Sequence, residues 1–251
     1  MPEEKNGTIV VTGASRGIGA SISKQLALAG YNVACLSRSG DMPNSVAQCG
    51  EAQAKLVALK CDVTDANAVQ SALKSARSHF DRPLIGLVNN AGIHLQGPSA
   101  TFALEDFERV MHTNGTSVML ACQAAYPYLR DAHSALIVNM GSFYDKLGVR
   151  GNTAYCASKA AVAAITRCLA VEWARDGIQA INIAPGYIET DLNREELNQG
   201  ALKDFLKKRI PTGGPAQSED VARLVAMLFQ LPGRFLTGET IYMDGGQGMA
   251  L

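Results

Sequence analysis

The sequence pairs no cysteines, clusters no histidines and carries no excess of either charge. Its six cysteines (Cys35, Cys49, Cys61, Cys122, Cys156 and Cys168) are scattered without a Cys-x-x-Cys pair, which removes the spacing of a redox dithiol or a zinc site. A disulfide framework does not suit a chain of this size, and several of the cysteines sit in apolar runs, as buried reduced thiols do. His79, His94, His112 and His133 stand far apart and offer no metal-ligand spacing. With 23 basic and 23 acidic residues the formal charge is zero, so neither nucleic acid nor an anionic membrane is indicated as a partner. No apolar leader, transit peptide or membrane-length run is found; the expectation is a soluble, cytoplasmic protein without a metal.

Of the 251 residues 47% are hydrophobic, ample for a core shared between a sheet and flanking helices. Short β-branched runs alternate with helical patterns. Strands are expected at 8–11, 31–36, 56–59, 85–88, 136–139, 178–183 and 239–242, and helices at 18–28, 66–79, 104–130, 153–175 and 218–230. The central runs are apolar on both faces, as in a parallel sheet covered on both sides. Strand–helix alternation implies right-handed crossovers. The fold class is therefore α/β: one domain over 1–251, a Rossmann-type doubly wound parallel sheet of about seven strands with helices on both faces. The least regular stretch, 186–217, is expected to form a substrate lid.

After the first strand comes Thr12-Gly13-Ala14-Ser15-Arg16-Gly17-Ile18-Gly19. Glycines allow a tight turn and close backbone approach, and the following helix offers free N–H groups and a positive dipole end to a pyrophosphate. The spacing is Gly-x-x-x-Gly-x-Gly; its place between strand and helix makes it a cofactor signal rather than an ordinary loop. The second strand ends Leu36-Ser37-Arg38, where an NAD site usually places an acid for the ribose 2′-hydroxyl. Ser37 holds that place, and Arg16 and Arg38 could converge on a 2′-phosphate, which favours NADP over NAD. As plain surface charges the two arginines would say nothing.

Tyr155-Cys156-Ala157-Ser158-Lys159 opens an alanine-rich helix. Four residues apart, Tyr155 and Lys159 share one face. A free phenol titrates near ~10; a nearby ammonium, aided by an oxidised nicotinamide, would lower that value. Tyr155 could then give a proton to a carbonyl oxygen or take one from an alcohol. The fifth strand ends Asn139-Met140-Gly141-Ser142, and ligands of open parallel sheets bind outside the carboxyl ends of strands, so Ser142 is placed to hold the substrate oxygen.

Together, Thr12 to Gly19, Asn89-Asn90-Ala91-Gly92, Ser142, Tyr155-x-x-x-Lys159 and Pro185-Gly186 resemble the short-chain dehydrogenase/reductase family over essentially the whole chain. The resemblance implies a tetrad of Asn114, Ser142, Tyr155 and Lys159, with Asn114 kinking its helix and holding a water that leads to the lysine. It implies that Gly13, Ser15, Arg16, Gly17, Ile18 and Gly19 hold the cofactor phosphates. Asp62 and Val63 would meet the adenine, though Asp62 read bare could cap the helix beginning after Asp65. Asn89, Ala91 and Gly92 would steady the fourth strand and lie along the cofactor. Pro185, Gly186, Ile188 and Thr190 would wrap the nicotinamide, and Lys159 would also hold its ribose.

The substrate pocket is expected to be walled by His94, Leu95 and Gln96, by Phe143 to Arg150 and by 187–210. Asp145, Lys146 and Arg150 could meet a polar substrate or form a charged rim. Leu192, Leu197, Leu202, Phe205 and Leu206 could cover an acyl chain or pack the lid on itself. The ending Met243-Asp244-Gly245-Gly246 is similar to 3-oxoacyl-(acyl-carrier-protein) reductases and sugar dehydrogenases of the family. A carrier protein would need a basic surface; Arg130, Arg167 and Arg175 supply one that His133 and Asp176 dilute. The expected substrate is a small molecule or acyl thioester. The alternatives are an NAD-preferring sugar or polyol dehydrogenase and a non-catalytic cofactor sensor. The resemblance also implies a homotetramer.

Overall fold

The computed structural model describes residues 7–43, 45, 50–191, 193–197, 199–233 and 235–249. The first half comprises β1 (Thr8–Thr12), α1 (Gly17–Leu28), β2 (Asn32–Ser37), β3 (Leu56–Lys60), α2 (Ala66–Phe80) and β4 (Leu84–Asn89). There follow α3 (Leu104–Met111), α4 (Ser117–Asp131), β5 (Ala135–Met140), α5 (Thr153–Glu172), β6 (Ile178–Pro185) and the short β7 (Ile188–Glu189). The last elements are α6 (Arg194–Leu197), α7 (Gly200–Arg209), the short β8 (Ala216–Gln217), α8 (Ser218–Leu228) and β9 (Thr240–Met243). Seven strands form one parallel sheet in the order β3-β2-β1-β4-β5-β6-β9, while β7 and β8 pair separately.

The apolar runs become strands because both faces are covered. In β1, Ile9 and Val11 pack with Ile22 and Leu26 of α1 and Val221 and Val225 of α8. Val10, pointing the other way, belongs to a second core that includes Val69 and Leu73 of α2, Val118 and Leu129 of α4, and Val162 and Leu169 of α5. Two apolar cores thus sandwich the sheet. Ile9, Ile137 and Ile183 are wholly buried, and each contributes roughly 1.5–3 kcal/mol by leaving water.

From β1 the chain winds outward to β3 and returns to β4, which lies on the other side of β1. At such a reversal the following loops diverge, and a crevice opens outside the carboxyl ends of the strands. A buried polar row crosses the sheet there: Asn89, Asn139, Asn182 and Thr240 are register neighbours on β4, β5, β6 and β9. Asn89 Nδ2 donates to Asn139 Oδ1 (2.8 Å), Asn139 Nδ2 to Thr166 Oγ1 of α5 (2.9 Å), and Asn182 Nδ2 to Thr240 Oγ1 (3.1 Å).

One expectation needed revision. The helix expected over 104–130 is two helices joined by a π turn at His112–Thr116. The irregular stretch 186–217 holds α6, α7 and the β7–β8 pair. Leu197, Leu206 and Ile210 make a small core there, with Tyr187 and Leu202 against it, so most of the apolar side of this stretch packs on itself. Leu192 lies outside the described residues, as does Cys49. The other five cysteines are free thiols, three of them buried.

Candidate active site

The glycine loop ends on an uncapped helix. Arg16, exposed and extended, stands at the N-cap of α1 without a capping side chain, and no acid lies in the first turn. By contrast Asp65 caps α2 through Asn67 N (2.8 Å) and Ala68 N (3.2 Å). A bare helix start carries unmatched N–H groups and the positive dipole end. Gly13 and Gly17 have φ of +64° and +56°, a region that disfavours side chains. A Cβ on Gly13 would stand 2.9 Å from Ala91 Cα, and one on Gly19 would collide with the Gly13 carbonyl. These residues leave a backbone-lined cradle that fits a pyrophosphate, with Ser15 and Ile18 half-buried beside it.

Asn90 locks the cradle to the sheet. Its Nδ2 donates to the carbonyls of Thr12 (3.0 Å) and Gly13 (3.1 Å), and Thr12 Oγ1 accepts from the backbone N of Asn90 (3.0 Å) and Ala91 (3.1 Å). Neither role was singled out from sequence, although period-two alternation after Asn89 signals it: Asn89 points into the sheet, so its neighbour must point to the loop.

At the end of β2, Ser37 is buried. Its Oγ accepts from Gly40 N (3.1 Å), closing a turn, and Arg38 is exposed. Among the described residues neither Arg16 nor Arg38 forms an ion pair. Asp62 Oδ1 accepts from Thr64 N (3.0 Å) and Thr64 Oγ1 (2.7 Å). Those two bonds hold its carboxyl below the usual range, with Arg38 and His112 adding to the effect. Asp62 is not the cap of α2. Val63 is buried beside it.

Behind the crevice, Asn114 sits in the π turn, buried, with every side-chain group engaged. Its Oδ1 accepts from Ile93 N (2.8 Å), and its Nδ2 donates to Ile93 O (2.9 Å) and Ser158 Oγ (3.0 Å). Ser158 Oγ in turn donates to Tyr155 O (2.8 Å). Asn114 thereby ties the segment after β4 to the first turn of α5. A Cβ on Gly92 would lie 3.2 Å from Asn114 Oδ1 and 3.8 Å from Lys159 Nζ, so Gly92, Asn114 and Lys159 converge.

Tyr155 and Lys159 share one face of α5, with Lys159 Nζ 5.5 Å from the phenol ring centre. Lys159 is buried and donates to Met140 O (2.7 Å); burial lowers it from 10.5 to about 8. Tyr155 goes the other way: burial raises it to about 12, against the pull of the Ser142 hydroxyl. The lowered phenol pKa expected from sequence is absent in the chain alone, because desolvation outweighs the hydrogen bond from Ser142. Ser142 Oγ also accepts from Tyr144 N (3.3 Å).

The walls around Tyr155 are aromatic. The His94 ring lies 4.6 Å from that of Tyr155 and Tyr144 stands edge-on at 6.0 Å. Tyr144 and Tyr187 join hydroxyls at 3.0 Å. His94 Nε2 meets Oδ1 of the buried Asn152 at 2.5 Å. Asp145 and Lys146 turn away onto Tyr242 of β9, Asp145 by a 3.0 Å hydrogen bond and Lys146 over the ring. A cleft of about 1000 Å³ opens next door, between 96–100 and 147–153, and includes Arg150 and Cys156. Its lining excludes Ser142, Tyr155 and the 187–210 stretch, so it adjoins the face that carries Ser142 and Tyr155 rather than forming it.

At the end of β6, Pro185 is buried, and Gly186 just beyond packs so tightly that a Cβ would stand 2.8 Å from Asp244 Cα. Thr190 N and Oγ1 both donate to Asn193 Oδ1 (2.7 and 3.1 Å), and Asn193 Nδ2 donates to Ile188 O (3.0 Å). Asn193 escaped sequence reading. A Cβ on Gly17 would be 3.5 Å from Thr190 Cγ2, so this segment reaches back to the glycine loop. Arg130 lies over the Tyr126 ring, and the Tyr126 hydroxyl donates to Asp176 (2.9 Å), leaving the α4–α5 surface mixed rather than basic.

Residues 13–247 match the family model described as enoyl-(acyl carrier protein) reductase. The chain is 36% identical over 243 residues to a 3-oxoacyl-[acyl-carrier-protein] reductase of Staphylococcus aureus, covering 96% of this chain and 97% of that protein. The corresponding human enzyme is 33% identical over 241 residues, covering 96% and 98%. Among solved structures, a gluconate 5-dehydrogenase of Burkholderia cenocepacia in complex with NADP and tartrate superposes with a TM-score of 0.88 at 29% identity, covering 98% of this chain and 96% of that one.

Proposed function

Because this chain belongs to the short-chain dehydrogenase/reductase family, it is an NAD(P)-dependent oxidoreductase of carbonyls and alcohols, and we propose that it runs on NADP(H) and reduces a ketone through Asn114, Ser142, Tyr155 and Lys159. One arrangement carries the reading: Ser142, Tyr155 and Lys159 gather at the carboxyl ends of the strands, beside an uncapped helix start lined by glycines. The nicotinamide, when bound, supplies or accepts the hydride. Tyr155 gives the carbonyl oxygen its proton, and Ser142 holds that oxygen against the phenol. Lys159 supplies the buried positive charge that favours phenolate, and Asn114 fixes the backbone on which both sides of the site are mounted.

The cradle of Gly13, Ser15, Gly17, Ile18 and Gly19 holds the phosphates, with Arg16 and Arg38 on the 2′-phosphate and Ser37, Asp62 and Val63 at the adenosine. Ala91, Gly92, Pro185, Gly186, Ile188 and Thr190 line the rest, with Asn89 beneath. Two unpaired guanidiniums and a buried serine where an acid would sit favour NADP. Fluorescence titration with NADPH and NADH tests this: a strong NADPH preference that collapses in Arg38→Asp is expected, and equal binding refutes it. Tyr155→Phe should abolish turnover while cofactor still binds; retained activity would sink the catalytic reading.

The NAD-preferring sugar or polyol alternative predicts an NADH preference in the same titration. A cofactor sensor without chemistry is disfavoured by the complete set of four side chains. In our reading residues 186–217 close over the substrate, and the chain assembles as a homotetramer in the cytoplasm. Exposed Val171, on α5, and Phe235 and Met249, on either side of β9, support the assembly, and the buried thiols Cys35, Cys61 and Cys122 suit a reducing compartment. Light scattering of a micromolar solution should give four times the chain mass; a monomer would refute the assembly.

A further inference from the structure

His94 has a fixed hydrogen-bonding polarity. Asn152 commits Nδ2 to Arg150 O (3.0 Å), so Oδ1 is the atom facing His94, and an amide oxygen can only accept. His94 Nε2 is therefore the donor of that 2.5 Å contact. In the neutral ring this leaves Nδ1 as a lone-pair acceptor, and no protein donor meets it among the described residues. The side chain is exposed, yet its ring lies 4.6 Å from that of Tyr155. An acceptor without a partner thus borders the carbonyl site.

A second group beside Tyr155 has the complementary polarity. Tyr144 and Tyr187 share one hydroxyl proton in their 3.0 Å contact, so the second proton of the pair is unshared. Burial, and then the bond to Tyr187, hold the Tyr144 phenol in its neutral form. Phe143 backs the pair, its ring 4.7 Å from Tyr144 and 5.8 Å from Tyr187. The surroundings of Tyr155 thus hold an acceptor at His94 and a hydroxyl donor at the Tyr144–Tyr187 pair among aromatic rings, with Asp145 and Lys146 engaged elsewhere.

We propose that the substrate is a hydroxyketone, whose hydroxyl on the carbon next to the carbonyl donates to His94 Nδ1 while Tyr155 and Ser142 take the carbonyl oxygen. This rests on the catalytic reading above and adds the substrate class to it. Neither a simple ketone nor an acyl chain brings a hydroxyl donor for the His94 acceptor. His94 is a specificity residue here, and its effect falls on substrate recognition.

The test is a matched pair, 1-hydroxy-2-butanone and 2-butanone, followed by NADPH consumption. The wild type should favour the hydroxyketone about tenfold in kcat/KM, the scale of one net hydrogen bond. His94→Phe should bring that ratio near unity through the hydroxyketone KM, and His94→Asn, which restores an acceptor, should recover part of it. The ratio is internal to each variant, so partial misfolding does not move it. Equal use of the two ketones by the wild type, or a preference that survives His94→Phe, overturns the proposal while leaving the catalytic reading intact. Turnover of neither ketone by protein that binds NADPH also overturns it. Activity that survives Tyr155→Phe overturns the catalytic reading and the proposal with it.

Discussion

Replacing Lys159 by methionine should make the free protein more stable at neutral pH while removing its activity. Burial costs the charged ammonium: the group titrates at about 8 in the folded chain against an ordinary 10.5. The sign follows from proton uptake. Below about pH 8 the folded chain carries the whole penalty. Between about 8 and 10.5 the folded lysine is neutral while the unfolded chain still binds its proton, so stability rises with pH; above that window nothing more is gained. At roughly 1.4 kcal/mol per tenfold, the full penalty is about 3 kcal/mol. Methionine keeps the packing but gives up the 2.7 Å bond to Met140 O, a loss of roughly 1 kcal/mol. The net gain expected at pH 7 is about 2 kcal/mol, or about 4–8 °C in Tm for a chain this long. By pH 9.5 the two proteins should be equal. Urea titrations of both at pH 7 and 9.5 measure the difference directly, and other titrating groups cancel between them. A methionine variant less stable at pH 7, or a gap that ignores pH, would refute the idea that Lys159 is held charged at a cost.

Further outcomes follow from the same geometry. Gly19→Ala places a methyl on the Gly13 carbonyl and should weaken cofactor binding at least about tenfold, read by fluorescence titration, because the cradle must open. Asn114→Ala strips the partners from Ile93 N, Ile93 O and Ser158 Oγ; a loss of roughly 2–4 kcal/mol is expected in urea unfolding, since buried groups are left unmatched. Thiol labelling of the folded protein at pH 8 should find Cys168 fast and Cys35 and Cys122 inert, because those two are buried with thiols raised to about 11 and about 12; rapid labelling of either would contradict the packing.

The strands could be read because they are short, largely apolar and β-branched runs, the central ones covered on both faces, and every expected strand of the main sheet lies within two residues of the observed one. The π turn could not be read from local pattern: His112 to Ser117 is a polar stretch inside a longer helical pattern, and only the family resemblance implied a kink at Asn114. What opens the helix is Asn114 reaching a backbone 21 residues away at Ile93, and no window of local periodicity contains that bond. Tyr155, Lys159 and Ser142 were legible because α5 and the end of β5 fix their faces. The resting partners were not: Lys159 on Met140 O and Thr190 on Asn193 depend on tertiary packing. The direction of the Tyr155 shift was also hidden, because sequence proximity to a cation says nothing of how much water is excluded.

The asparagine row across β4, β5, β6 and β9 bears on how freely this scaffold tolerates change. A one-residue slip of β5 would turn Asn139 to the other face of the sheet and break its bonds to Asn89 and Thr166 together. Strand alignment is thus written into the sheet's interior, a few ångströms below the loops and independent of them. Exchanging the segments after β5 and β6 is expected to leave the strands in register, because the loops are not what keeps count. Loop grafts at 143–152 or 186–217 should therefore leave Asn114, Ser142, Tyr155 and Lys159, the side chains proposed to act in catalysis, where they stand, provided the row beneath is left alone.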